Sequence, residues 1–188
     1  MSASLNPFRY VRKQELSLSL LMFSYFFLVI TGFWVLKPIK KSLFIEYYDQ
    51  SGVDLWGWML TASQAELVAK ILNMVVAFGA VIVFTMLSRK LHRQQLTNVF
   101  SLFIIICLAG FSRMLLQPDD LTVWIFYLFG DLFSTLMVAT FFAFLNDSMT
   151  PDSAKRLYGI IGLGGVAGGV FGSTFVTIWV VSVSREAW

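Results

Sequence analysis

Five long apolar segments constrain the fold of this chain more than any other feature. None of them alternates apolar and polar residues with a period of two, as the strands of a membrane barrel would. Each is close to or above the roughly 20 residues that a helix needs to cross a bilayer. The segments cover residues 16–36, 67–87, 94–112, 121–146 and 157–184. The sequence therefore predicts an all-α membrane protein, a single bundle of about five transmembrane helices whose main partner is the lipid bilayer.

The composition excludes several other classes of protein. With 57% hydrophobic and 13% charged residues, the chain has too little polar surface for a soluble enzyme of this size. Its one cysteine, Cys107, cannot form an intramolecular disulfide, and with the one histidine, His92, it does not make a usual zinc site. We therefore expect no catalytic residues, no metal and no cofactor. The net charge of +3 is better explained by membrane topology than by a nucleic-acid partner.

The distribution of basic residues predicts the orientation in the membrane. Lys and Arg in short loops favour the cytoplasmic side. Three basic groups fall on one side when the N-terminus is cytoplasmic: Arg9, Arg12 and Lys13; Arg89, Lys90 and Arg93; Lys155 and Arg156. We therefore expect a multi-pass protein with a cytoplasmic N-terminus, in a bacterial inner membrane.

Three lysines that follow the first span break this rule. Lys37, Lys40 and Lys41 have the spacing i, i+3, i+4 and would share one face of a helix, which Pro38 would kink. In one interpretation they belong to the continuing helix and form an anion site, where ammonium groups hold phosphates as point charges. In the other, acids of the following segment neutralise the lysines in a solvated loop. Those acids are Glu46, Asp49 and Asp54.

Asp131 lies about ten residues into the fourth span. An ionisable group at that depth costs roughly 2.5–3.5 kcal/mol on insertion scales, so it normally faces a partner or water. Three interpretations remain open: a counter-charge to a lysine, a proton- or cation-coupling site, or a carboxyl held neutral or hydrogen-bonded between helices.

A polar stripe marks the start of the second span. Glu66, Lys70 and Asn73 have the spacing i, i+4, i+7, and Glu preceding Lys by four residues is the favourable order for an ion pair on a helix. The stripe is either a local pair that lets Lys70 enter the membrane, or part of the lining of the same cavity as the lysines.

The fifth span contains a glycine-rich run. Gly164, Gly168 and Gly172 recur every four residues, with Gly165 and Gly169 beside them. Ridges of small residues let two helix backbones approach closely. The pattern predicts a close helix contact on which helices can also slide.

Three segments resemble a known family. Residues 36–43, Leu-Lys-Pro-Ile-Lys-Lys-Ser-Leu, resemble the Leu-Arg-x-x-Lys-Asp-x-Leu segment that ends the first helix in the ATP/ADP (NTP/NDP) translocase family of intracellular bacteria and plastids. That family is related to the major facilitator superfamily. Residues 146–159 resemble the connection between helices four and five in its more divergent bacterial members, and residues 88–93 resemble the basic loop between helices two and three of the superfamily.

The resemblance implies roles for the lysines and a limit on the chain. Lys37 takes the arginine position and Lys40 the lysine position, both associated in the family with nucleotide phosphates. Lys41 stands where the family usually has an aspartate. The family has about twelve spans in two halves, with the substrate between them. This chain would correspond to the N-terminal half, so the resemblance implies that it is a fragment or that a second half-transporter or a second copy completes it.

These observations lead to two hypotheses. In the first, the chain is the N-terminal part of a carrier that moves an anionic metabolite, above all a nucleotide of the ATP/ADP type, by alternating access. Lys37 and Lys40 would hold phosphate, and Lys41 and Asp131 would tune the charge of the site. Its remaining lining residues would be Lys70 and Asn73. In the second, the chain is a non-transporting membrane scaffold or assembly subunit that docks a partner through its glycine-rich helix.

Overall fold

The computed structural model describes residues 15–49, 52–55 and 57–186. Arg9, Arg12 and Lys13, which contribute to the predicted orientation, lie outside the described residues. The described residues form five helices and one short hairpin. The helices are α1 (Leu16–Asp49), α2 (Ala62–Lys90), α3 (Arg93–Met114), α4 (Asp120–Ser148) and α5 (Pro151–Glu186); the strands are β1 (Val53–Leu55) and β2 (Trp58–Leu60).

All five helices are long and apolar enough to cross a membrane, which confirms the predicted multi-pass helical protein. The prediction of an all-α chain missed the hairpin between α1 and α2. Strands β1 and β2 pair antiparallel, with Val53 opposite Leu60. The backbone N–H of Gly57 donates to Asp54 Oδ1 at 2.8 Å, and Gly57 has a φ of 86° that few other residues adopt. The prediction was based on the lengths of apolar runs, which carry no information about a short turn of this kind.

Helix α1 is longer than the apolar run that predicted it. The run ends at Leu36, whereas the helix continues to Asp49 and carries Pro38 in its interior. A span defined by apolar residues stops at the first charge. The helix itself continues because backbone hydrogen bonding does not depend on side-chain polarity, and because the charged side chains find partners on other helices.

The chain divides into two compact units. One contains the residues up to Val35 and those from Phe141 onward, and the other contains Leu36–Thr140. Helices α1 and α4 each contribute to both units. The core of the first unit joins α1, α4 and α5 through five buried residues: Met22, Phe141, Leu145, Leu157 and Ile161.

The glycine-rich run of α5 packs directly against α1 within this first unit. A Cβ added to Gly164 would lie 2.5 Å from the carbonyl oxygen of Phe23, and one added to Gly168 would lie 2.5 Å from that of Phe27. Thr31 Oγ1 donates to the carbonyl oxygen of Gly168 at 3.3 Å. These distances leave no room for a side chain, so the predicted close helix contact is present.

The other glycines of the ridge face the same helix. A Cβ on Gly165 would overlap the ring of Phe26, and one on Gly169 would lie 3.1 Å from Trp34 Nε1. A Cβ on Gly172 would lie 2.9 Å from the carbonyl oxygen of Thr31. Helix α1 therefore covers the ridge at Gly164, Gly168 and Gly172, while Gly165 and Gly169 also line a groove of about 530 Å³.

The second unit contains two aromatic-rich clusters. In the first, Phe44 and Tyr48 of α1 pack against Val123 and Tyr127 of α4 and Ala65 of α2. In the second, α3 packs against α4 through Ile104, Phe111, Phe126, Phe129 and Phe133. These contacts hold α1, α2 and α4 side by side at the level where their polar residues lie.

Gly168→Ala tests the packing of α5 on α1. The added methyl group meets a backbone carbonyl that cannot rotate away, so the free energy of unfolding should fall by about 1–3 kcal/mol. Gly162→Ala is the matched control, because no atom lies within 4 Å of its added Cβ. The control should be neutral or stabilising by up to about 1 kcal/mol, since Ala favours helix over Gly. Unfolding in detergent, followed by circular dichroism, measures both; equal effects would contradict the packing assignment.

Candidate functional site

An ion pair between α1 and α4 forms the centre of the polar site in the second unit. Lys40 Nζ pairs with the Asp131 carboxylate. The ammonium group also lies 3.5 Å from the carbonyl oxygen of Tyr127 and 4.5 Å from the centre of its ring, a cation–π contact. Only 5% of the Lys40 side chain is exposed. Lys40 is therefore enclosed by groups that stabilise its positive charge.

Gly130 makes room for the lysine. A Cβ at position 130 would lie 2.5 Å from Lys40 Cδ, so any larger residue would displace the side chain from its place beside α4. Glycine at position 130 therefore leaves the space through which Lys40 reaches the Asp131 carboxylate.

Asp131 also accepts a hydrogen bond from α2. Asn73 Nδ2 donates to Asp131 Oδ2, which joins the third helix to the pair. The other amide atom, Asn73 Oδ1, is buried and has no hydrogen-bond partner among the residues that the structure describes. One carboxylate therefore connects α1, α2 and α4, and a buried acceptor oxygen lies beside it.

Glu66 is the centre of a second group, about two turns from Asn73 on α2. Its carboxylate lies 2.9 Å from Lys70 Nζ and 3.5 Å from Lys41 Nζ. The hydroxyl of Tyr127 donates to Glu66 Oε1 at 3.4 Å. Tyr127 thus links Glu66 to the Lys40–Asp131 pair, because its hydroxyl contacts Glu66 while its carbonyl and ring contact Lys40.

The site lies deep within the helices. Helices α2 and α4 each have 29 residues, which corresponds to about 43 Å, close to the thickness of a membrane with its headgroup regions. Asn73 lies eleven positions after the start of α2, and Asp131 lies eleven positions after the start of α4. Both are therefore about 5 Å from the midpoints of their helices. The sequence predicts that the lysines lie at the outer end of the first span. In the structure, Lys40 pairs with Asp131, which lies near the midpoint of α4.

Exposure divides the charged groups into two sets. Lys40 and Glu66 are buried, whereas the side chains of Lys41 and Lys70 are 55% and 54% exposed. Asp131 lies between these extremes at 35%. Two exposed ammonium groups therefore flank a buried carboxylate, and the Lys40 ammonium is covered.

A polar groove of about 570 Å³ runs along the face of α1 that carries Lys41. Its lining residues are Pro38, Lys41, Ser42, Ile45, Glu46 and Asp49. Lys37 is exposed one turn before Lys41 on the same helix. Lys41, Lys70 and Glu66 carry a formal charge of +1, and Glu46 and Asp49 line the groove beside them.

The structure brings together most of the predicted site residues, but in two groups. The prediction that Lys37, Lys40 and Lys41 share one face is wrong in part, because Lys40 turns inward to α4 while the other two stay exposed. The physical reason is that the Asp131 carboxylate and the carbonyl and ring of Tyr127 surround the Lys40 ammonium group beside α4. All three lysines belong to the continuing helix, as the first interpretation expects, and Lys40 and Lys41 pair with Asp131 and Glu66. Anion binding by the cluster stays a prediction.

The two other polar predictions are also resolved in position. Of the interpretations left open for Asp131, the structure has the counter-charge to a lysine. In the α2 stripe, Glu66 and Lys70 form the local pair, and Asn73 contacts Asp131. That the stripe lines a cavity stays a prediction. The glycines of α5 belong to the other unit and contribute to helix packing there.

Sequence reasoning missed Tyr127 and Gly130. Both lie within one turn of Asp131, at i−4 and i−1, so the signal that could have found them is their spacing from a charged residue inside a span. In the sequence alone, a tyrosine in an apolar helix is interpreted as a packing residue, and a single glycine there indicates no particular role. Only the position of Lys40 gives each of them a role.

The chemistry of the site is that of charge and hydrogen bonding. Within residues 15–49, 52–55 and 57–186, no three His, Cys, Asp or Glu side chains group together in a way that could hold a metal ion. Comparison of the chain with protein-family models, with curated proteins and with solved structures gives no match.

Asp131→Asn and Lys40→Met test the central ion pair. Asp131→Asn leaves the enclosed ammonium group without a counter-charge and should lower the free energy of unfolding by about 3–5 kcal/mol. Lys40→Met should cost less, because Asp131 is partly exposed and keeps its bond from Asn73. The double variant should recover most of the loss. Denaturant unfolding in detergent micelles measures all three; equal effects of the two single changes would contradict this account.

Proposed function

We propose that this chain is the N-terminal part of a transmembrane carrier for an anionic metabolite, with the charged groups of α1 and α2 forming part of the anion path. The observation that carries the proposal is a pair of exposed ammonium groups around one buried carboxylate: Lys41 and Lys70 beside Glu66, within the first three turns of α2. We place the chain in a bacterial inner membrane with a cytoplasmic N-terminus, in accord with its basic loops.

Lipid hydrocarbon cannot cover this face. Charged side chains within a span normally face a water-filled cavity or other protein groups, because hydrocarbon offers them no hydrogen bonds. Lys41 and Lys70 are more than half exposed, and the groove beside Lys41 is lined by Ser42, Glu46 and Asp49 as well. A water-filled path along α1 satisfies these groups.

The sign of the charge favours an anion. Lys41, Lys70 and Glu66 together carry one excess positive charge. Packing cations together is unfavourable unless an anion shares the site. Lysine ammonium groups bind phosphates as mobile point charges. We therefore assign direct anion contact to Lys37, Lys41 and Lys70, while Lys40 is held by Asp131.

A nucleotide is the anion that the resemblance favours. The segment 36–43 resembles the phosphate-associated segment of the ATP/ADP translocase family, and three of its lysines belong to the site described above. A carrier of that kind binds its substrate between two halves. On this proposal, a second half-transporter or a second copy of the chain faces the polar groove of α1.

The scaffold hypothesis has less support. It requires the glycine ridge of α5 to be open to a partner, but α1 covers Gly164, Gly168 and Gly172 in the first unit. A scaffold also needs no exposed lysines around a buried carboxylate. The carrier explains both features.

Nucleotide binding tests the anion assignment. ATP and ADP should bind to the chain in lipid nanodiscs, whereas adenosine, which lacks phosphates, should not. Lys41→Ala and Lys70→Ala should each weaken ATP binding by about 10- to 150-fold, the equivalent of one hydrogen bond to a charged group. Lys90→Ala, at the far end of α2, is the matched control and should have no effect. Unchanged ATP binding in both variants, or no binding by the wild type, would refute the assignment.

Thiol labelling tests the water-filled path without a substrate. In a Cys107→Ser background, which removes the one native thiol, Ser42→Cys should react with a charged, membrane-impermeant methanethiosulfonate reagent. Ile71→Cys is the matched control, since it is 65% exposed but lies on an apolar face of α2. It should react slowly, because a thiol in hydrocarbon ionises poorly. Equal labelling of the two thiols in liposomes would show that the groove of α1 is no wetter than the lipid face.

A further inference from the structure

We propose that a phospholipid of the bilayer lays one acyl chain in an apolar groove between the hairpin, α2 and α4, and that the protein retains it there as a bound lipid. The groove has a volume of about 750 Å³. Its lining includes Trp58 and Leu60 of β2, Ile71, Leu72 and Val75 of α2, and Trp124 of α4. The site is separate from the proposed anion path, because none of these residues belongs to that path.

The chemistry of the groove suits hydrocarbon. Its described lining residues are all aliphatic or aromatic, and the side chains of Ile71 and Val75 are 65% and 67% exposed. The polar stripe of α2 lies on another face: at 100° per residue, Lys70 is about 150° around the helix from the middle of the groove. An anion or a polar metabolite would lose its hydration in such a groove without gaining hydrogen bonds, whereas an acyl chain loses nothing.

The groove is continuous with the surface that faces the bilayer. Helix α2 is long and apolar enough to cross a membrane, and 11% of its apolar 18-residue window is buried. Leu67 and Met74, on the face of α2 next to the groove, are 60% and 74% exposed. Lipid that contacts this helix therefore reaches the groove directly.

The extent of the groove along α2 matches one leaflet of the bilayer. Val75 lies thirteen positions after Ala62, where α2 begins, which corresponds to about 20 Å of a helix about 43 Å long. The groove therefore ends near the middle of the membrane. Half of the hydrocarbon layer is about 15 Å thick, whereas a partner's transmembrane helix would need a groove along the full 30 Å or so. A single acyl chain that enters from the hairpin end fits this length.

Two tryptophans identify the end at which the headgroup lies. Trp124 is four positions after the start of α4, and Trp58 of the hairpin is 76% exposed. Indole rings concentrate where hydrocarbon meets the headgroups of a bilayer. There the ring covers methylene groups, and its N–H is available to a headgroup oxygen. An occupant with a headgroup above and a hydrocarbon chain below is a phospholipid.

The bound lipid would support a helix that has little protein around it. The buried residues of α2 that the structure describes all lie in its first eight positions: Ala62, Ala65, Glu66 and Ala69. An acyl chain against Ile71 and Val75 extends this packing toward the middle of the membrane and joins α2 to β2 and α4.

Lipid retention tests the proposal with the full chain reconstituted in vesicles of dioleoylphosphatidylcholine. After extraction in a mild detergent and removal of free lipid, native mass spectrometry should find one phosphatidylcholine per chain. Val75→Trp, which fills the groove, should lower the bound fraction by about 10-fold, the effect of losing contact with about two methylene groups. Val81→Trp is the matched control, because Val81 is 52% exposed on the same helix but does not line the groove. Its retention should equal that of the wild type.

Photolabelling in the intact vesicles gives a second readout that needs no variant. A phosphatidylcholine with a diazirine in its acyl chain should label Ile71 and Val75 several-fold more than Leu67 and Met74, which are exposed at the same depth outside the groove. Loosely associated lipid would label both faces alike.

The outcomes separate the possible occupants. No bound phosphatidylcholine in the wild type, equal retention by the two variants, or equal labelling of the two faces would overturn the proposal. A dimer that forms without bound lipid and is lost in Val75→Trp would overturn it in favour of a second copy in the groove. If Val75→Trp fails to fold, the labelling of the wild type decides.

Discussion

The ion pair between Lys40 and Asp131 is the interaction on which the polar part of this protein depends. An ionised side chain near the middle of a bilayer requires a partner or water, because hydrocarbon supplies neither charge nor hydrogen bonds. Here one carboxylate contacts Lys40 of α1 and Asn73 of α2 from its place on α4. Three helices that otherwise contact one another through apolar clusters thereby acquire a specific register.

The two compact units use different physics to hold helices together. In the first, glycines of α5 bring its backbone against that of α1, and dispersion and one hydrogen bond from Thr31 replace the hydrophobic effect that lipid cannot supply. In the second, charged and aromatic side chains connect the helices. Helices α1 and α4 belong to both units, so a single helix carries an apolar packing half and a polar half.

Charge imbalance is what separates the site from a purely structural ion pair. A closed network in a membrane core would match its carboxylates to its lysines, as Lys40 and Asp131 do. The group around Glu66 does not, because two exposed lysines share one buried carboxylate. The proposed anion path follows from this local excess of one lysine around Glu66.

The sequence by itself determined the membrane class and the five helices, because a helix in lipid is a local property of apolar run length and internal hydrogen bonding. It also identified the glycine ridge and the Glu66–Lys70 pair, whose spacings lie within single helices. Tertiary structure alone decided that Lys40 turns to Asp131 while Lys41 turns to Glu66, and that Gly130 and Tyr127 matter. These depend on contacts between helices distant in sequence, which spacing along one helix does not encode. The extension of α1 to Asp49 also depends on contacts between helices, because Lys40 and Lys41 form ion pairs with carboxylates of α4 and α2.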